Sequence, residues 1–250
     1  MRFWNLKAIA NQTSAELRID GEILNGGMKW DETDVTITDF NEAIDGLSTS
    51  VNELNMRINS PGGSVFTTIA MMNRMKRLKS ERNITINAYI DGIGASSASM
   101  LPMVADNIYM YSNSFLMIHK PMVTMYLANT NDLKEALDFL EKTEENMVIP
   151  TYKAKGKSLT DEKIADLLNG NDNWLSAKEA SEIFEIDIIE EKFNIVANFD
   201  IEKSFKEIPN EVKALFNQTS IPSISSEEKE MREKILADSK ANLAYLNTIL

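Results

Sequence analysis

Three observations on the 250-residue chain predict an α/β fold. Short β-type runs alternate with helical patterns through roughly the first 195 residues, the pattern of a layered α/β domain. Residues 54–90 read as strand, helix and strand, a βαβ unit that calls for parallel strands and a right-handed crossover. The composition is 43% hydrophobic and 26% charged, ample for a buried core under an ordinary soluble surface.

Taken in order, residues 15–19 (AELRI) read as the first strand. Phe40, Ile44, Leu47 and Val51 recur at helical spacing. Residues 54–58 (LNMRI) form a strand that ends at Asn59, Ser60, Pro61, Gly62 and Gly63. The helix that follows carries Val65, Ile69, Met72 and Met75 on one face and closes on Lys76, Arg77 and Lys79, cations suited to a helix C-terminus. Residues 84–90 (ITINAYI) are a third strand, followed by a stretch of small residues over 92–99. Residues 108–118 read as a strand, a turn at Ser112 and Asn113, and another strand. From Asp132 to about Met147 the pattern predicts a long helix, with Asp132 and Glu135 as its capping box and Leu133, Leu137, Leu140 and Met147 on one face. Two shorter helices are expected near 160–169 and 176–184.

Composition shifts after about residue 197. The expected division is a main domain over 1–197, a linker over 198–226, and a charged helical tail over 227–250. The linker reading rests on its polar, Pro-containing end from Asn217 to Ser226. The tail carries Met231, Ile235, Leu243, Leu246 and Leu250 in a stripe too irregular for a coiled coil.

Charge and composition remove several function classes. A formal net charge of −12 repels phosphate backbones, so nucleic acid is not expected as a partner. The chain has no cysteine and one histidine, which removes disulfides, thiol catalysis, Cys-ligated zinc and any multi-histidine metal site. The first 20 residues lack the apolar core of a signal peptide, and no apolar run is long enough to span a bilayer. A cytoplasmic location, no membrane association, no metal and no organic cofactor are the expectations.

Four short segments could carry chemistry. His119 ends an apolar strand; it could be idle there, but any histidine-dependent mechanism must use it. Gly94, Ala95, Ser96, Ser97, Ala98 and Ser99 could be small residues chosen for packing, or a nucleophile on a strand-to-helix turn, since G-x-S-x-A approximates a nucleophile elbow. Ser60 to Ser64 could be a bare turn, or paired glycines whose backbone N–H groups face a negative oxygen. They lack the Lys-Ser/Thr ending of a phosphate loop, and an oxyanion hole fits them better. Asp172, before Asn173, Trp174, Leu175 and Ser176, could be a local cap or the carboxylate that orients a histidine.

Together, residues 57–65 (RINSPGGSV), 94–100 (GASSASM), 116–121 (LMIHKP) and 172–180 (DNWLSAKEA) resemble the Clp protease proteolytic subunit family. The resemblance spans roughly residues 15–195 and is strongest to ClpP-like peptidases of phages and prophages associated with head maturation. It implies a superhelix of repeated ββα units, shared with crotonases, and serine endopeptidase activity. Ser96 matches the family nucleophile in the register set by Asp91 and Gly92, with Ser99 and Ser97 as the competing serines. His119 matches the family histidine, Asp172 the aspartate, and Gly63 the glycine whose N–H forms half of the oxyanion hole; the N–H of Ser97 would be the other half. Where the bacterial enzymes usually carry Met-Gly after the serine, this chain has Ser97 and Ala98. The resemblance further implies a homo-oligomeric ring, a hexamer or heptamer and stacked in some members, with the long helix joining rings. It suggests an AAA+ unfoldase or phage capsid and scaffold proteins as partners. Alternatives are a catalytically silent ring-forming scaffold, a crotonase-like acyl-CoA enzyme, and a signal-peptide-peptidase-like enzyme, whose lysine base and usual membrane anchor are not evident.

Overall fold

A computed structural model describes residues 7–8, 13–26, 34–157, 159–191, 201–205 and 207–217. Its centre is one eight-stranded sheet. The strands are β1 (Lys7–Ala8), β2 (Ser14–Asp20), β3 (Glu53–Ser60), β4 (Thr85–Ala95), β5 (Asn107–Tyr111), β6 (Phe115–Ile118), β7 (Asn173–Ser176) and β8 (Asp187–Ile189). β2, β3, β4, β5 and β8 are successive parallel neighbours, and β1 is antiparallel to β2.

β4 is the strand that organises the site. Its first half pairs with β5, from Asn87↔Asn107 to Ile90↔Met110. Its second half pairs with β6, from Ile93↔Phe115 to Ala95↔Met117, again in parallel. The short turn between β5 and β6, fixed by Ser114 donating its hydroxyl to Tyr111 O, moves the chain along β4 instead of folding it into a hairpin. β6 then pairs antiparallel with β7, from Phe115↔Ser176 to Ile118↔Asn173. β7 is an addition to the sequence reading, which placed residues 172–177 between two helices. Its four residues are all half-buried, so no alternation marked them.

The helices cover the sheet. α1 (Ile37–Asp45) starts at a capping box of Thr36 and Asp39, and Gly46 ends it before Leu47 and Val51. α2 (Val65–Arg82) crosses from β3 to β4; Ser64 caps its start and left-handed Asn83 (φ 52°) its end. Its buried face is Thr68, Met71, Met72, Met75 and Leu78, rotated from the expected Val65 and Ile69. A 3-10 helix (Ser96–Val104) follows β4 directly.

α3 (Thr130–Thr143) begins two residues earlier than expected. Its capping box is Asn129 with Asp132, because Asp132 reaches back to the Asn129 N–H at 2.8 Å. Leu133 and Leu137 are more than half exposed, so that face is not buried within the described chain. A π turn (Glu144–Val148) leads from α3 into α4 (Ile149–Lys153), with Ile149 N–H bonded to Glu144 O. Pro150 has no N–H to offer one turn back, which favours the wider turn before it. α5 (Asp161–Leu167) and α6 (Ala177–Ile183) follow, the latter capped by Ser176 with Glu179.

The stretch read as a linker, 198–226, needs correction in its first part. It holds α7 (Ile201–Ser204) and α8 (Asn210–Asn217). Ile201, Phe205 and Val212 pack with Ile93, Ala95 and Met117 as a second, smaller core. Burial of those apolar side chains, not chain polarity, decides the structure here. Residues 218–226 and the tail 227–250 lie outside the described residues. No helix among the described residues is long and apolar enough to cross a membrane.

Candidate active site

The end of β4 is a tight elbow. Ser96 leaves the strand at φ 52°, a left-handed conformation that costs a non-glycine residue about 1–2 kcal/mol and persists only where neighbours enforce it. The first restraint comes from below. Ser99 donates its hydroxyl to Ser96 O at 2.6 Å, and Tyr152 OH lies 2.6 Å from the same hydroxyl. Since Ser99 has one hydrogen and directs it to Ser96, Tyr152 is the donor of the second bond. Both groups are buried, and burial pushes the Tyr152 phenol well above its ordinary value, so it stays protonated to donate.

The second restraint is the glycine turn after β3. Gly62 sits at φ 90°, and a Cβ there would lie 2.5 Å from Ala95 O and 2.8 Å from Ser96 Cβ. The turn therefore rests directly on the elbow, and no side chain fits between. Gly63 bridges Ile23 in parallel: Ile23 N–H bonds to Gly62 O and Ser64 N–H to Ile23 O, each at 2.7 Å. In such a bridge the middle residue's own N–H points away from its partner. Ser60 fixes the turn by accepting from Gly62 N–H and donating to Gly21 O.

β4 is anchored upstream by a partly buried ion pair. Arg57 on β3 meets Asp91 on β4 through two contacts of 2.9 Å. The guanidinium lies against the rings of Tyr89 and Tyr111. Burial raises the Asp91 carboxyl to about 6, against the opposing pull of Arg57.

Register brings the next two residues in. Ala95↔Met117 places His119 just past the end of β6, beside the elbow, and its Nε2 lies 2.7 Å from Ser96 Oγ. Extending the β6–β7 pairing one step beyond Ile118↔Asn173 sets His119 opposite Asp172. His119 Nδ1 is 2.9 Å from Asp172 Oδ1, and both side chains are 8% exposed. With the carboxylate as acceptor, Nδ1 carries the hydrogen and Nε2 accepts from the Ser96 hydroxyl. Of the competing serines, Ser99 is committed to the elbow backbone, and the Ser97 side chain is buried.

Two contributors were not read from the sequence. The Glu207 N–H donates to Asp172 Oδ2 at 3.3 Å, while Glu207 O accepts from Trp174 Nε1 at 2.8 Å. The Phe205 ring packs edge-on to Trp174 at 5.1 Å and stands 6.4 Å from the His119 ring. The signal was present in Ile201, Phe205, Ile208, Val212 and Phe216, spaced as one apolar helical stripe through a segment taken for linker. Beside Asp172, a cavity of about 830 Å³ opens between Glu207, Ile208 and Pro209 on one side and Lys163, Trp174 and Leu175 on the other. Among the described residues, no three His, Cys, Asp or Glu side chains converge as metal ligands would.

Such an arrangement can polarise a hydroxyl, move its proton to an imidazole, and stabilise the resulting imidazolium with a carboxylate. Comparison with known proteins adds the lineage. The Clp protease family model matches residues 44–192, from the end of α1 through β8. The chain is 28% identical over 149 residues to an ATP-dependent Clp protease proteolytic subunit of Streptococcus agalactiae, covering 58% of this chain and 72% of that protein. It is 29% identical over 144 residues to the corresponding subunit of Streptococcus pneumoniae, covering 56% and 69%. It is 28% identical over 140 residues to proteolytic subunit 1 of Protochlamydia amoebophila, covering 54% and 64%.

Proposed function

This chain belongs to the Clp protease family and is a serine-type peptidase, and from that premise we propose that Ser96, His119 and Asp172 are its catalytic residues. The observation that carries the reading is the continuous hydrogen-bonded series from Ser96 Oγ through His119 to Asp172. In it, His119 Nε2 takes the Ser96 proton as Oγ attacks a peptide carbonyl. Asp172 holds the imidazole with its hydrogen on Nδ1 and stabilises the imidazolium. The N–H groups of Gly63 and Ser97 receive the oxyanion. His119 then returns the proton to the leaving amine, and water hydrolyses the acyl-enzyme.

The oligomer and the partners follow from the same family reading. We read the chain as a subunit of a homo-oligomeric ring, hexameric or heptameric. Exposed Leu133, Leu137 and Phe139 on α3, and Met122, Val123, Tyr126 and Leu127 before it, support this as apolar surface that an assembly would cover. The substrate read from the phage-type motif resemblance is a capsid or scaffold protein, with an AAA+ unfoldase as the alternative partner. The peptidase domain, expected over 1–197, is read as extending to take in Ile201–Asn217, which packs on β4 and β6, with the tail beyond it serving assembly or being removed by self-cleavage.

The test compares wild type with Ser96→Ala on a fluorogenic peptide and by intact mass. Activity in the wild type and a loss on the order of 10⁶-fold in kcat for the variant are expected. A variant as active as wild type would refute the assignment. Cleavage of capsid or scaffold protein without added ATPase would support the phage substrate, and a strict ATP requirement would favour the unfoldase.

A further inference from the structure

The outer edge of the site is closed by residues beyond the reach of the family match, which ends at residue 192. Asp172 has two carboxylate oxygens. Oδ1 meets His119, and a carboxylate held on one side alone can rotate about its Cβ–Cγ bond. The Glu207 N–H on Oδ2 restrains that rotation. Glu207 is itself tied down, because its carbonyl accepts from Trp174 Nε1. Trp174 lies on β7 opposite Met117 of β6, so the bond stitches the segment to the strand pair that sets His119 against Asp172. Phe205 completes the closure. It is 8% exposed, wedged edge-on against Trp174, with its ring tilted toward the imidazole at 6.4 Å. Ile201 and Val212 on either side are buried on Ile93, Ala95 and Met117, the residues that flank the elbow.

We propose that Phe205 and the backbone amide of Glu207 are positioning groups for the acid–base pair, so that the segment Ile201–Asn217 is part of the working active site. The proposal rests on the assignment of Ser96, His119 and Asp172 given above. It treats the segment neither as a linker nor as a plug. A plug would stand over the serine, whereas the contacts here fall on the carboxylate and on the imidazole ring.

The experiment uses the full chain and five proteins: wild type, Ser96→Ala, Phe205→Ala, Phe205→Leu and Trp174→Phe. Each is read by kcat and KM on a fluorogenic peptide, by the rate of labelling with a fluorophosphonate, and by thermal unfolding. Phe205→Ala should lower kcat and the labelling rate by about 10- to 100-fold, the scale of a small misplacement of reacting groups, with KM near wild type. Phe205→Leu should recover part of the loss. Trp174→Phe keeps a ring for Phe205 but loses the donor to Glu207 O; it should lower kcat about 10-fold even if Phe205→Ala fails to fold. An unchanged kcat with a raised KM in both variants would make the segment a substrate wall and overturn the proposal. Higher activity would make it a plug and overturn it equally. Ser96→Ala separates the two levels: inactive Ser96→Ala with unaltered Phe205→Ala and Trp174→Phe refutes the positioning role alone, and active Ser96→Ala refutes the catalytic assignment beneath it.

Discussion

The proposed nucleophile and the proposed acid–base pair are held by different means. Ser96 stands on an elbow embedded in the main core. Its carbonyl is bonded to buried Ser99, Ser99 to buried Tyr152, and the Gly62 turn presses on it from β3. His119 and Asp172 stand at the margin of the sheet, where β6 pairs with four-residue β7, and their outer side is closed by a segment from much later in the chain. The first arrangement stores strain at one residue and is locked by the core. The second is unstrained and depends on register plus a cover. Changes near the serine should therefore cost stability and rate together, and changes near the pair should cost rate far more than stability.

The largest effect expected on the marginal side is from Asp172→Asn. The amide preserves shape but favours the wrong imidazole tautomer, and kcat should fall on the order of 10⁴-fold. Thermal unfolding should move little, which steady-state kinetics and a melting curve would show together. A comparable loss of stability would erase the contrast between the two sides. On the core side, Ser99→Ala removes the partner of both Ser96 O and Tyr152 OH. It should cost about 1–3 kcal/mol in denaturant unfolding, with a fall in kcat alongside. Tyr152→Phe should cost less, about 1 kcal/mol, because it leaves no buried donor unpaired. A double-mutant cycle over the two would measure whether they act as one relay.

The pH-dependent effect concerns the anchor of β4. The folded Asp91 carboxyl titrates near 6, against an ordinary 3.8, so between those values the folded protein binds a proton that the unfolded chain releases. The contribution to stability is full below about 3.8 and is lost as pH rises through about 6. Asp91→Asn should therefore lose less stability than wild type between about pH 4 and pH 7. Equal slopes in the two melting series would contradict this.

The residues proposed for the site could be singled out because they sit in short segments of unusual composition. SPGG, GASSAS and MIHKP mark a glycine turn, a small-residue elbow and a strand end, and these are local features. Parallel β3–α2–β4 was also legible, from a βαβ spacing that allows few alternatives. What the sequence hid depends on distant partners. β7 has no periodicity of its own and becomes a strand only because β6 offers it an edge. The capping box of α3 shifted to Asn129 because Asp132 serves as its third residue, not as its cap. Phe205 and Glu207 were missed because polar neighbours disguised a segment whose apolar stripe finds its partners on β4 and β6.

The most direct measurement is the site and histidine dependence of fluorophosphonate labelling, read by intact mass and peptide mapping. Wild type should carry a single adduct per chain, on Ser96, and His119→Ala should lose it. An adduct on Ser97 or Ser99, or labelling that proceeds equally well without His119, would contradict the assignment.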